Sequence, residues 1–269
     1  MPFTLAHPAA VIPLARRLGR FAVPSALVIG SISPDLAYFL PVPISRGGSH
    51  SVAGLLWFCL PAGLVAYIVF HLVLERPLVS LLPARIARRL GSVLCPRRRL
   101  PAVPWTAVLV SLLVGAVTHV AWDSFTHPDA PGVQAVSLLH AQLFSIGPYP
   151  VFAYKVLQHC STLVGTVCLA LWVSSWLRQA PVHQVAPTPS LSPGRRAIAI
   201  AAIVGLPLGA GVAMGWLSLS QPLTAAGLEV SVWRSVVFSI SAVGIAALSF
   251  SLVWQVCALS AARAGAGQP

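Results

Sequence analysis

Acidic side chains are almost missing from this sequence: 269 residues carry five Asp and Glu against seventeen Lys and Arg. Charged residues amount to 8%, where soluble domains carry roughly 25%, so an ordinary water-soluble fold is excluded. Cysteine pairs are missing too. Five cysteines without a C-x-x-C pair read as small buried hydrophobes rather than a disulfide framework or thiolate metal ligands. A formal charge of +12 invites a nucleic-acid partner, but the basic residues fall between apolar runs with no RNA- or DNA-binding motif around them. Nucleic acid is therefore not expected as a partner. Arg16, Arg17 and Arg20 before an apolar run resemble the start of a secretory signal. No small-residue cleavage site follows, so the segment is expected to be retained.

What is present is hydrophobicity. With 57% apolar residues and a mean hydropathy of +0.84, the chain offers five segments long enough to cross roughly 30 Å of hydrocarbon. They lie near 52–74, 104–125, 151–177, 197–219 and 233–259. A sixth stretch, 21–40, has the length but contains Pro24, Pro34 and Asp35, and it reads equally as a full span or a broken, re-entrant one. The expected fold class is all-α, a polytopic integral membrane protein with five to six transmembrane helices. A membrane-embedded helical domain should occupy 1–177, a Pro/Ser-rich cytoplasmic linker 178–196, two C-terminal spans 197–262 and a disordered tail 263–269. Within the basic stretch, 77–90 could form an interfacial amphipathic helix, and 133–146 a short helix.

Charge asymmetry orients the spans. The gap 76–104 holds seven arginines and no acid, and 178–196 holds three, whereas 126–150 has no Lys or Arg. The positive-inside rule puts both basic gaps in the cytoplasm, where the polybasic stretch can also meet anionic lipid headgroups.

An ionisable residue in a membrane segment is a functional candidate by default, and two of the five acids keep company with histidines. Asp123 follows His119 by four positions in T-H-V-A-W-D-S-F-T-H, and Asp35 lies in G-S-I-S-P-D-L-A-Y-F. Spacing of i, i+4 puts His119 and Asp123 on one helix face, with His127 a further turn on. Under the charge rule His50, His119, Asp123, Asp35 and His159 all fall on the outer side. His7 joins them if 8–19 runs inward and 21–34 returns as a half-membrane hairpin. His71 pairs locally with Glu75, His183 is in the linker, and His140 stays ambiguous.

At these residues the chain resembles known families. The opening M-P-F-T-L-A-H-P-A-A, the S-P-D, the G-S-H-S and the G-x-x-T-H-x-x-W-D-x-F-T-H resemble an uncharacterised family of bacterial integral membrane proteins, over most of the first 165 residues including Q-H-C-S-T. More distantly the set is similar to membrane-bound metal-dependent hydrolases and to zinc-dependent phospholipase C. The resemblance implies metal ligands at His7, Asp35, His50, His119 and Asp123. Two departures count against a three-metal cluster, leaving one or two ions. Ser45 stands where the hydrolases carry a histidine, and His140 is followed four residues on by Phe144 where the phospholipases carry Glu.

Imidazole and carboxylate donors suit zinc first, and Mn²⁺ or Fe²⁺ as well. A divalent metal with an open position would activate water against phosphorus. Candidate catalytic residues are Asp123, His127, His159 and Arg46. His127 and His159 are open as ligands, orienting groups or proton carriers, and Arg46 either steadies a phosphate bidentately or is a solvated loop arginine. The His119–Asp123 couple could also be a structural tie between helices. The expected function is a metal-dependent hydrolase of a lipid-linked or membrane-associated phosphoester, with membrane lipids as partners. It would sit in the bacterial inner membrane, its site near the extracytoplasmic face. Alternatives are a transporter or proton relay, which would place the polar set near the midplane with a pseudo-repeat, and a non-catalytic scaffold. The oligomeric state is left open.

Overall fold

Proline and glycine punctuate the first fifty residues into short pieces. Pro8 opens α1 (Pro8–Leu18), which stops at Gly19 with φ 51°, a left-handed value that only glycine adopts without strain. Pro24 then opens α2 (Pro24–Ile32), followed by a 3₁₀ turn at Ser33–Asp35 and one helical turn at Leu36–Phe39. The stretch 21–40 is thus a broken helix and not a full span.

A computed structural model describes residues 4–91, 93–94, 100–147, 149–184, 188, 190–219 and 224–266. Cys95 and Arg97, Arg98 and Arg99 of the basic gap lie outside the described residues, as do 267–269 of the expected tail. The fold is all-α apart from one two-stranded hairpin among the described residues. Among the described residues five helices are long and apolar enough to cross a membrane, and the protein is a multi-pass membrane protein. They are α3 (Val52–Ser80), α4 (Trp105–Asp123), α5 (Ala153–Gln179), α6 (Pro193–Leu217) and α7 (Ala225–Ala266, apolar over Gly227–Ser260). α7 runs four residues into the stretch expected as tail.

Two expectations for the connections change. Residues 77–90 do not form one amphipathic helix, because α3 continues to Ser80 and Pro83 restarts the chain in a single turn, Ala84–Ala87. Pro83 has no N–H to continue a helix. In place of a helix through 133–146, one turn at Pro131–Ala135 and a 3₁₀ turn at Ser137–His140 lead into β1 (Gln142–Ile146). β1 pairs antiparallel with β2 (Tyr149–Phe152), with Ile146 opposite Tyr149 and Gly147 at φ 58° in the turn.

The chain divides into two compact units. The first comprises Met1–Tyr67 and Ala102–Arg178. Its centre is the crossing of α2 and α4, which glycine makes possible. A Cβ at Gly30 would overlap the Leu112 carbonyl, and one at Gly115 would lie 2.6 Å from the Ser31 nitrogen. The two backbones therefore touch, the arrangement small residues allow between membrane helices. Ser111 ties the entry of α2 to the same crossing, donating to the Phe21 carbonyl (2.8 Å) and accepting from the Val23 N–H (2.9 Å).

The second unit comprises Ile68–Pro101 and Gln179–Pro269. α6 and α7 pack through Gly211 and Gly215 against Ser231, Ser235 and Ser239. The second half of α3 contains a π turn, Phe70–Leu74, which frees carbonyls from the regular ladder. Gln255 of α7 donates to two of them, Leu72 O (3.0 Å) and Val73 O (2.9 Å). Arg89 donates to the Ala180 carbonyl (2.8 Å) and the His183 N–H to the Arg88 carbonyl (3.1 Å), so the linker is tied to the basic stretch.

Candidate metal centre

Local rules of chain folding deliver five donors to one place in the first unit. His7 immediately precedes α1, and Asp35 ends the 3₁₀ turn after α2. His50 follows the one-turn helix Arg46–Ser49, which Ser45 caps by accepting from the Gly48 N–H (3.2 Å). Ser51 in turn caps α3 by accepting from Gly54 N–H (2.9 Å). Gly54 has no room for a side chain, since a Cβ would meet the Gly48 and Ser49 carbonyls. Ser45 thus serves as a helix cap. His119 and Asp123 come from the last turns of α4.

His7, Asp35, His119 and Asp123 are buried, Asp35 and His119 almost completely, and the His50 side chain is 6% exposed. His50 Nε2 lies 3.4 Å from Asp35 Oδ1 and 3.4 Å from Asp123 Oδ2. His119 Nε2 is 3.5 Å from Asp35 Oδ1 and 3.7 Å from Asp123 Oδ2, and His7 Nε2 is 3.5 Å from Asp123 Oδ1. Hydrogen bonds of N–H to O run shorter, at about 2.7–3.2 Å. His7 Nε2, His50 Nε2, His119 Nε2, Asp35 Oδ1 and Asp123 Oδ1 are all buried without a hydrogen-bond partner. Ligand atoms about 2.0–2.1 Å from a tetrahedral metal stand roughly 3.4 Å from one another, and the observed spacings are close to that, so these residues could hold a metal ion. Two groups of mutually close donors emerge, His7–His119–Asp123 and Asp35–His50–His119, sharing His119.

Partners on the other heteroatom hold four of these five atoms inward, and a ring stack holds the fifth. His119 Nδ1 lies 2.7 Å from the Ser31 carbonyl, which can only accept, so Nδ1 is a donor there and Nε2 is the nitrogen left facing the cluster. Ser49 Oγ donates to the Arg46 carbonyl (3.3 Å), leaving it to accept from His50 Nδ1 at 2.9 Å. Thr4 Oγ1 donates to Asp35 Oδ2 (2.6 Å), and Arg46 Nη2 to Asp123 Oδ2 (3.0 Å). His7 stacks on His119 with ring centroids 3.7 Å apart. Burial, with His119 beside it, pushes the His7 pKa down to about 3, so the ring is neutral at physiological pH, the form that binds metal.

Around this core the sequence candidates separate. His127 sits beside Asp123 but in neither donor group; its Nδ1 is 3.1 Å from the Asp123 carbonyl and its Nε2 3.5 Å from Gln158 Nε2. Burial lowers its pKa to about 4. Arg46 is partly exposed, and its Nε is buried without a partner. His159 is exposed and takes no part in these contacts, whereas its neighbour Gln158 is buried and reaches His127. His71 and Glu75, 3.3 Å apart, belong to the second unit, as does His183. His140 is exposed, with Tyr154 its ring neighbour.

Sequence reasoning missed Thr4, Ser31, Ser49 and Gln158. Thr4 and Gln158 stand inside the M-P-F-T and Q-H-C-S-T segments, where a polar residue in an apolar setting was the available signal.

A family model covers residues 1–252. The chain belongs to the family described as Domain of unknown function (DUF4184). No curated protein and no solved structure matches it. The family match takes in every residue of the cluster as well as most of the second unit.

Proposed function

We propose that this DUF4184 protein is a membrane-bound, metal-dependent hydrolase of phosphoesters carried on lipids, holding one or two divalent ions, zinc foremost. His7, His119 and Asp123 would hold one and Asp35, His50 and His119 the other position. The observation that carries this reading is the set of five unpartnered donor atoms, each with its opposite heteroatom or ring face occupied. A hydrogen-bonded structural tie would have used those atoms on one another at shorter range. Leaving them buried and unpaired would cost about 1–3 kcal/mol each, a penalty that metal binding removes.

A cation held there would lower the pKa of a bound water towards neutrality and stabilise charge developing at phosphorus. Arg46 fixes the Asp123 carboxylate through one nitrogen and keeps other donors for a phosphate oxygen. His127, whose Nδ1 lies 3.1 Å from the Asp123 carbonyl, would take a proton in the reaction. The cluster gathers at the end of α4, in the last five of its nineteen residues, which supports work at headgroup level over transport through a midplane site. The bacterial inner membrane, with the site at its outer face, remains the location that the arginine distribution favours.

Metal analysis of purified protein tests the proposal. Wild type should retain about one or two transition-metal ions per chain, Asp123→Ala should lose them, and His71→Ala should keep them. Equal metal content in all three proteins would overturn the assignment. His127→Ala should keep its metal and still fail to release phosphorylated product from phospholipid in mixed micelles.

A further inference from the structure

A groove of about 440 Å³ opens beside the cluster, its walls formed by α1, the end of α4 and α5. That volume is within the ~300–1,000 Å³ usual for ligand sites. At one end stand His7 and Trp122, whose Nε1 donates to Ser161 Oγ at 3.2 Å. From there the groove follows α5 past Val164 to Cys168, a rise of about 12 Å for the eight residues from Cys160. Small residues line it, Ala6, Ala9 and Ala10 on one wall and Gly165 on the other, and the walls come close at Gly165, where a Cβ would stand 3.1 Å from the Ala6 carbonyl.

We infer that this groove holds an acyl chain of a bilayer phospholipid whose phosphate reaches the His7–Asp123 end, which deepens and rests on the hydrolase reading. Direction is the first argument. α4 runs towards the cluster and α5 away from it, so the groove descends from the level of the cluster into the depth that α5 spans. A headgroup at the cluster and a chain along α5 reproduce the ordinary posture of a lipid. Polarity is the second, because His7, Trp122 and Ser161 lie at the cluster end while no charged side chain lines the remainder. The third is charge: Arg46, which does not line the groove but is bonded to Asp123 and partly exposed, would supply the cation for the anionic group such a lipid carries. Access is lateral, since Val164 in the groove wall is 60% exposed and Cys160 and Cys168 are exposed as well, so a phospholipid can enter without leaving the bilayer.

The test uses the full chain in nanodiscs with a phosphatidylglycerol carrying a diazirine in mid-acyl chain, with labelled positions mapped by peptide mass spectrometry. Label on Val164 and Cys168 should saturate and should be displaced by unlabelled phosphatidylglycerol, whereas label on Leu163 and Leu171 should do neither. Ala10→Phe and Cys168→Trp, which fill the groove, should each cut the saturable label about tenfold, equivalent to ~1.4 kcal/mol of binding, while retaining wild-type metal content. Non-saturable label on Val164 and Cys168, like that on Leu163, would overturn the groove. Displacement by an isoprenyl phosphate but not by phosphatidylglycerol would overturn the acyl assignment. Metal loss in Asp123→Asn is read separately, so a failed metal centre with an intact groove, or the reverse, is told apart.

Discussion

Thr4 occupies one oxygen of Asp35 at 2.6 Å, and what the other oxygen can do follows from that. The carboxylate cannot rotate to offer Oδ2 inward without abandoning the hydroxyl, so Oδ1 is held facing His50 and His119. The Ser31 carbonyl does the same for His119, and Ser49 for His50. Groups of this kind set tautomer and orientation, and losing one costs about 10–100-fold in metal affinity. Thr4→Val keeps the shape of the side chain and removes the donor. It should weaken metal binding by about that factor in competition with a chromogenic chelator, with the helix content unchanged by circular dichroism. An unaltered affinity would show that Asp35 is oriented by something else. Asp123→Asn has a sharper expectation, because the amide keeps one oxygen but loses the charge: metal should be lost even though Arg46 still has an acceptor.

At the scale of elements, the crossing of α2 and α4 aligns the cluster, since it brings the Ser31 carbonyl to His119. Gly115 permits that approach, and a Cβ there would press on Ser31 N and the Leu27 carbonyl. Gly115→Val should therefore drive the helices apart and abolish metal retention. Ser111→Ala, one turn earlier, should cost about 1–3 kcal/mol through the unpartnered Val23 N–H and leave bound metal in place, as read by thermal unfolding in detergent alongside metal analysis. The long apolar helices were legible in the sequence because hydrocarbon thickness imposes a length that composition reveals. Donors were legible for the same reason, an acid in such a run being costly enough to need a purpose. Hydroxyl partners were not, since Ser and Thr in helices more often return to their own backbone, as Ser31 Oγ does to the Val28 carbonyl. The hairpin at Gln142–Phe152 escaped because Q-L-F-S-I and Y-P-V-F are apolar runs too short for their period to separate strand from helix.

Over the whole molecule, the arginine asymmetry is the observation that assigns sides to the ends of the spans. Residues 126–150 carry no Lys or Arg, while 76–104 and 178–196 carry ten arginines between them. The positive-inside rule predicts the basic gaps in the cytoplasm and, with them, the loop between α4 and α5 outside. Leu138, 71% exposed, and Arg85, also exposed, are suitable probes, since neither packs in a core that a cysteine would disturb. In a background without the native cysteines, Leu138→Cys should react with a membrane-impermeant maleimide in intact cells. Arg85→Cys should react only after the cells are opened. Because Asp123 is the last residue of α4, immediately before that loop, the same labelling fixes the membrane face at which the cluster lies. The reverse pattern would place the cluster at the cytoplasmic face, leaving its donor geometry untouched but exchanging the pool of lipid it can meet.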